Sequence, residues 1–176
     1  MAVAAAANAL TIIADIKYVW GRAQADTTHD DRIQTLINLI SDRVEKWCAR
    51  KFKTQILTET YDGTAGYFLQ LNEYPVTIVT YVKLDGVEID NDDYKIYANE
   101  GMLYYAGKWT EGRRNYEVKY TAGYTIIPPA LAMACVEWVI VLLEGRMKDA
   151  KVDQSEAYGP PQEIAMGLAP FKRMDF

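Results

Sequence analysis

The chain is poor in the residues that carry most protein chemistry. Its 176 residues include one histidine and two cysteines. His29 has no serine or cysteine placed to pair with it, which excludes a recognisable nucleophile–histidine pair. No CxxC pair or Cys/His cluster supplies metal-ligand spacing, so no metal and no cofactor are expected. The phosphate-binding, dinucleotide, nucleophile-elbow and HExxH motifs are all missing. No catalytic residue is nominated, and the chain reads as not an enzyme. Positive charge is scarce too. Nineteen Lys and Arg against 24 Asp and Glu leave a net charge of −5. That argues against a general nucleic-acid binder, which neutralises phosphates with excess basic residues, and leaves room only for passive contact with DNA that slides past. Long apolar runs are also lacking. Ala130–Leu143 is too short to span a bilayer and contains Glu137. Residues 1–14 are alanine-rich, but they lack a basic start and run into Asp15 and Lys17. The expectation is a soluble protein that is neither secreted nor membrane-bound, with Cys48 and Cys135 as buried free thiols in a reducing compartment.

What is present is ordinary globular material: 50% apolar and 24% charged residues, in a chain long enough for one domain with a core. Thirteen tyrosines are many. An apolar ring with a polar tip suits strands and protein interfaces.

Periodicity predicts a first helix over about 7–20, with Ile12, Ile13, Ile16, Val19 and Trp20 on one face and Gly21 placed to end it. A second helix is predicted over about 30–51. Ile33, Leu36, Ile37, Ile40, Val44, Trp47 and Cys48 fall within a stripe of roughly 120°. Arg32, Arg43 and Arg50 lie on one flank with Leu39, and Asp31, Asp42 and Glu45 on the back and opposite side. Such flanks fit either a solvated face or a helix with differently charged neighbours on its two sides, as head-to-tail contacts in a ring produce. From 55 to 124 the period becomes two. Strands are expected at Gln55–Tyr61, Tyr67–Leu71, Val76–Leu84, Tyr94–Tyr97, Met102–Tyr105 and Tyr116–Thr121, as one meandering antiparallel sheet. The acidic run Asp90–Asp93 lacks the glycine and glutamate spacing of a calcium loop, and Arg113-Arg114 reads as a hairpin tip.

A third helix is predicted over about 128–147. Pro128 and Pro129 suit its first turn, which needs no N–H. It is apolar on nearly every side, so it must be buried on nearly every side. Leu131, Cys135, Trp138 and Leu142 form one stripe, and Ala132, Val136, Val139 and Leu143 another. A domain of this size seldom surrounds a helix, so a second copy of the chain is expected to cover the surplus, with Val136, Val139 and Leu143 at the contact. The last segment, 148–176, has weak helical character at Gln162–Met166 and no apolar stripe long enough for a core. It is expected to order on a partner. The expected fold is α+β: three main helices with an inserted antiparallel β-meander in one domain over 1–147, then an extended C-terminal tail.

These features resemble a known family. An acidic N-cap opens the amphipathic helix D-D-R-I-Q-T-L-I-N-L-I-S-D-R-V-E-K-W-C. A strand–Gly–Tyr–Pro–Pro–Ala–Leu helix entry spans Tyr120–Leu131, and L-A-P-F-K-R stands at Leu168–Arg173. Together they are similar to the head–tail connector (adaptor, or head-completion) proteins of tailed bacteriophages and related gene-transfer particles. The resemblance implies a ring of identical subunits, twelve to match the portal, beneath the portal vertex in the virion neck. It implies synthesis in the host cytoplasm, a C-terminal tail that docks on the portal, a next neck or tail protein on the opposite side, and DNA passing through the channel. Phe171, Lys172, Arg173 and Phe176 form an aromatic and basic set suited to the portal contact. Arg32, Arg43, Arg50, Asp31, Asp42 and Glu45 are the matching candidates between subunits. A competing reading is a monomeric module that uses a tyrosine-rich sheet to hold a peptide or glycan; a third is a small hydrolase with an unrecognised site.

Overall fold

The change of apolar period along the chain has a direct physical outcome. In the computed structural model, which describes residues 2–145 and 159–173, the chain divides into two compact units. Met1–Phe52 joins Ile127–Phe176, and Lys53–Ile126 stands as the second. The single domain expected over 1–147 is thus two units, one helical and one of sheets.

The helical unit holds α1 (Ile13–Trp20), α2 (Asp30–Cys48), α3 (Pro129–Leu143) and α4 (Gln162–Leu168). The first helix starts later than the expected residue 7. A short alanine run cannot bury enough to sustain a helix alone, and α2 side chains take up the backbone groups of residues 3–10 instead. Val3 N–H donates to Asp31, Ala6 N–H to Asn38 and Leu10 N–H to Ser41. The segment is a non-helical strap along α2. Gly21 ends α1 with φ 71°, as its position suggests. α1 is tied down by Lys17, which is almost fully buried, ion-paired to Asp30 at 2.6 Å and hydrogen-bonded to the Gln24 carbonyl.

The α2 stripe is buried at Ile33, Ile37, Ile40, Val44 and Cys48, while Leu36 and Trp47 stay half-buried. The helix ends at Cys48 because Ala49 turns left-handed, φ 55°. Pro129 starts α3 after Pro128, as expected. α3 packs against α1, α2 and α4 of its own unit, burying Leu131, Ala134, Cys135, Val136, Trp138 and Val139. It ends at Leu143, short of the expected 147, where Glu144 caps it and Gly145 turns left-handed at φ 64°. The C-terminal segment contributes to this core: α4 buries Ile164 and Leu168. The expectation of a tail without core residues fails here, because two apolar positions four apart are enough when a neighbouring helix already offers an apolar face. Residues 146–158 and 174–176 lie outside the described residues.

The sheet unit contains β1 (Gln55–Gly63), β2 (Phe68–Gln70), β3 (Val76–Leu84), β4 (Val87–Ile89), β5 (Tyr94–Tyr97), β6 (Met102–Tyr105) and β7 (Gly112–Ala122). Instead of one meander there are two antiparallel sheets, ordered β1-β7-β3-β4 and β2-β6-β5. The last strand sits between the first and third because its inward residues Tyr116, Val118, Tyr120 and Ala122 are all buried and need neighbours on both sides. The core adds Leu69, Leu71, Val82, Leu103 and Trp109. Arg113 and Arg114 lie within β7; Arg114, at φ 51°, gives its N–H to Asp62. Gly123 closes β7 at φ 109°, where a Cβ would stand 2.5 Å from the Lys53 carbonyl oxygen, so only glycine fits.

Candidate interface surfaces

The acidic flank of α2 is occupied by its own unit. Asp31 accepts Val3 N–H at 3.0 Å. Asp42 pairs with Lys46 one turn along at 3.1 Å. Glu45 is only 3% exposed. It accepts from Asn8 at 2.9 Å, Lys51 at 2.7 Å and Phe52 N–H at 3.4 Å. Glu45 is therefore a buried anchor and not a surface residue. Arg50 is corrected for a related reason. A helical projection through residue 50 assumes that α2 continues, but it stops at Cys48. The reversed chain folds Arg50 inward, 4% exposed, with its guanidinium 5.2 Å from the Phe52 ring.

The basic flank that remains is Arg32 and Arg43. Arg32 is exposed and Arg43 half-buried, with half-buried Leu36 and Leu39 between them. Neither arginine makes a hydrogen bond or ion pair among the described residues.

On α3, Val136 (2% exposed) and Val139 (0%) lie inside their own unit. The expectation of a neighbour there is overturned because α1, α2 and α4 together cover what one or two helices could not. Leu143 is half-buried. The face left over carries Met133, Glu137, Ile140, Val141 and Glu144. Part of it opens into a groove of about 340 Å³ lined by Val19, Trp20, Glu137, Ile140, Val141, Glu144, Pro161, Glu163 and Ile164. Its lining mixes apolar side chains with three carboxylates.

The proposed docking residues are also engaged. Phe171 meets Phe52 edge-on, with ring centroids 6.3 Å apart. Lys172 is exposed, its ammonium 4.9 Å from the Trp47 ring. Arg173 donates its N–H to the Cys48 carbonyl at 2.8 Å. Phe176 lies outside the described residues. Sequence reasoning missed the Asn38 and Glu45 anchors. Their seven-residue spacing on α2, continued from Asp31, is a signal that they share a face.

In the sheet unit, Phe68, Tyr97 and Tyr104 gather on the small sheet with Tyr67 beside them, at centroid separations of 5.3–6.2 Å. A second cluster is internal. Tyr61 and Tyr120 both donate to Glu59 Oε2, and their hydroxyls lie 3.2 Å apart. They in turn accept Asn72 N–H and Glu73 N–H. Burial, reinforced by the Glu59 hydrogen bonds, raises both phenols well above the ordinary range. Burial likewise pushes the Cys48 and Cys135 thiols up to about 11 and about 12, which keeps them protonated and unreactive near neutrality. Among the described residues no group of His, Cys, Asp and Glu is arranged to hold a metal ion, and no helix is long and apolar enough to cross a membrane.

The head completion protein family model matches residues 11–152. The chain belongs to the head completion protein family. It is thereby placed among structural proteins of phage-like particles. No curated protein matches it. Among solved structures it is similar to a chain in the neck of an empty gene transfer agent particle computed with C6 symmetry, at TM-score 0.65 and 13% identity, over 100% of this chain and 96% of that one. It is also similar to chains in the neck of the native particle computed with C12 symmetry (TM-score 0.62) and in the native virion (0.61), both at 14% identity and the same coverage. At such identities the likeness is one of fold, and it extends over both units.

Proposed function

We propose that the chain is a non-enzymatic structural subunit of a head–tail neck. Twelve copies form a ring beneath the portal, DNA passes through its channel, and the next neck or tail protein assembles on its far side. The observation that carries this reading is the fold match over the entire chain to neck chains, on top of family membership. The net charge of −5 agrees with it, since carboxylates facing a channel repel the DNA backbone and let it slide. Portal contact is assigned to the C-terminal end around Lys172, which is exposed beside Trp47. Cryo-EM of particles from a host carrying the intact gene should show a ring of this fold at the neck. Particles made without the chain should lose packaged DNA or tails. Complete, tailed particles lacking the chain would sink the proposal.

A further inference from the structure

We infer that neighbouring copies join by seating the Arg32–Leu36–Leu39–Arg43 ridge of α2 in the groove between α1, α3 and α4 of the next copy. This rests on the ring reading and names its contact surfaces. The four ridge residues are spaced four, three and four apart, which puts them within roughly 60° of one helix face. They form a line of two cations around two half-buried leucines.

The groove is its complement. Its apolar lining includes Trp20, Ile140, Val141 and Ile164, and its carboxylates are Glu137, Glu144 and Glu163. Its size of about 340 Å³ suits side chains projecting from a helix face, the ordinary way in which helices interlock. It also lies along the C-terminal half of α3, where the helix dipole favours a cation. Glu137 and Glu163, like Arg32 and Arg43, make no ion pair or hydrogen bond among the described residues. The same unit thus presents two unpaired arginines on the ridge and two unpaired glutamates, Glu137 and Glu163, in the groove.

A second copy satisfies both at once. Ridge-to-groove contact joins two different surfaces, so it propagates from copy to copy and closes into a ring when the rotation permits. Ridge-to-ridge or groove-to-groove pairing places like charges together, which disfavours a twofold dimer. The acidic residues of α2 take no part, because their own unit already holds them.

Charge reversal tests the contact. Native mass spectrometry would follow the full-length chain, alone and mixed with portal protein. The wild type should give a higher oligomer in at least one of these conditions. Arg32→Glu/Arg43→Glu should lose it, and so should Glu137→Lys/Glu163→Lys. Mixed in equal amounts, the two variants should regain it, because alternating copies restore opposite charges at every contact and twelve is even. Wild-type-like assembly of either variant, or a mixture that stays monomeric, would overturn this contact while wild-type rings leave the ring reading standing. A wild type that assembles neither alone nor on portal would overturn both. If a reversed variant fails to fold, Arg32→Gln/Arg43→Gln and Glu137→Gln/Glu163→Gln read the same contact. Their assembly should fall and lose its salt dependence, and unchanged assembly would refute the contact.

Discussion

Asn38 receives the backbone N–H of Ala6 on Oδ1 at 2.9 Å and returns its own Nδ2–H to the Ala4 carbonyl at 3.0 Å. One amide side chain on α2 thus replaces the backbone bonds that residues 4 and 6 would make in a helix. Asn38→Leu keeps α2, since leucine is the better helix former, but deprives the strap of both partners. Loss of stability is expected at about 1–3 kcal/mol. Amide exchange should speed up over residues 3–10 and stay slow in α2; an unchanged strap would contradict the assignment.

Glu45 anchors the junction where α2 ends. Glu45→Ala removes the acceptor for Asn8, Lys51 and Phe52 N–H and should cost about 1.5–3 kcal/mol, the usual range for hydrogen bonds to a charged group. Lys51 is half exposed, so Lys51→Ala should cost less than about 1 kcal/mol. Urea denaturation of the two variants separates them; equal losses would show that Glu45 acts mainly through Lys51.

Val139 belongs to folding and not to subunit contact. Val139→Ala should destabilise the isolated chain by about 2 kcal/mol through lost burial and the cavity left behind. Val139→Asp should unfold the helical unit, because it buries an unpaired carboxylate. A Val139→Asp chain that melts like the wild type and fails only to assemble would restore the interface role.

Removal of everything after Lys148 deletes α4. Ile164 and Leu168 are buried in the helical unit, and each contributes roughly 1.5–3 kcal/mol. The truncated chain should therefore melt at a lower temperature even without portal. An unchanged melting temperature, with portal affinity lost, would favour a tail devoted to docking alone.

The sheet unit should weaken in alkali. Tyr61 and Tyr120 have folded-state pKa values raised above the ordinary 10.0. A raised value means that the folded state holds the proton more tightly, so the contribution is complete below pH 10 and falls as pH rises beyond it. Tyrosinate absorbance should show Tyr61 and Tyr120 resisting ionisation until the sheet unit unfolds. Tyr120→Phe should remove one of them and loosen the Asn72–Glu73 loop. A single, ordinary titration of all the tyrosines would refute the cluster.

The sequence by itself determined the elements whose signal is local. The α2 stripe Ile33–Cys48, the double-proline start of α3 and the alternation in Gln55–Tyr61 and Tyr116–Thr121 each follow from side-chain spacing within a few turns or residues. The family resemblance was legible there too, because the helix entry at Tyr120–Leu131 and the L-A-P-F-K-R segment at Leu168–Arg173 are visible without coordinates. Tertiary structure alone decided which surfaces are free. The same projection that grouped Arg32, Arg43 and Arg50 could not show that Ala49 turns the chain and sends Arg50 inward. Nor could it show that the strap, bonded to residues 28–37 positions away, would occupy Asp31 and Glu45. β7 entered the middle of its sheet, and Val136 and Val139 went into the core, for the same reason. Burial and charge pairing depend on which distant segments arrive at a face. That is set by competition among all apolar surfaces of the chain, while periodicity records only what each segment offers.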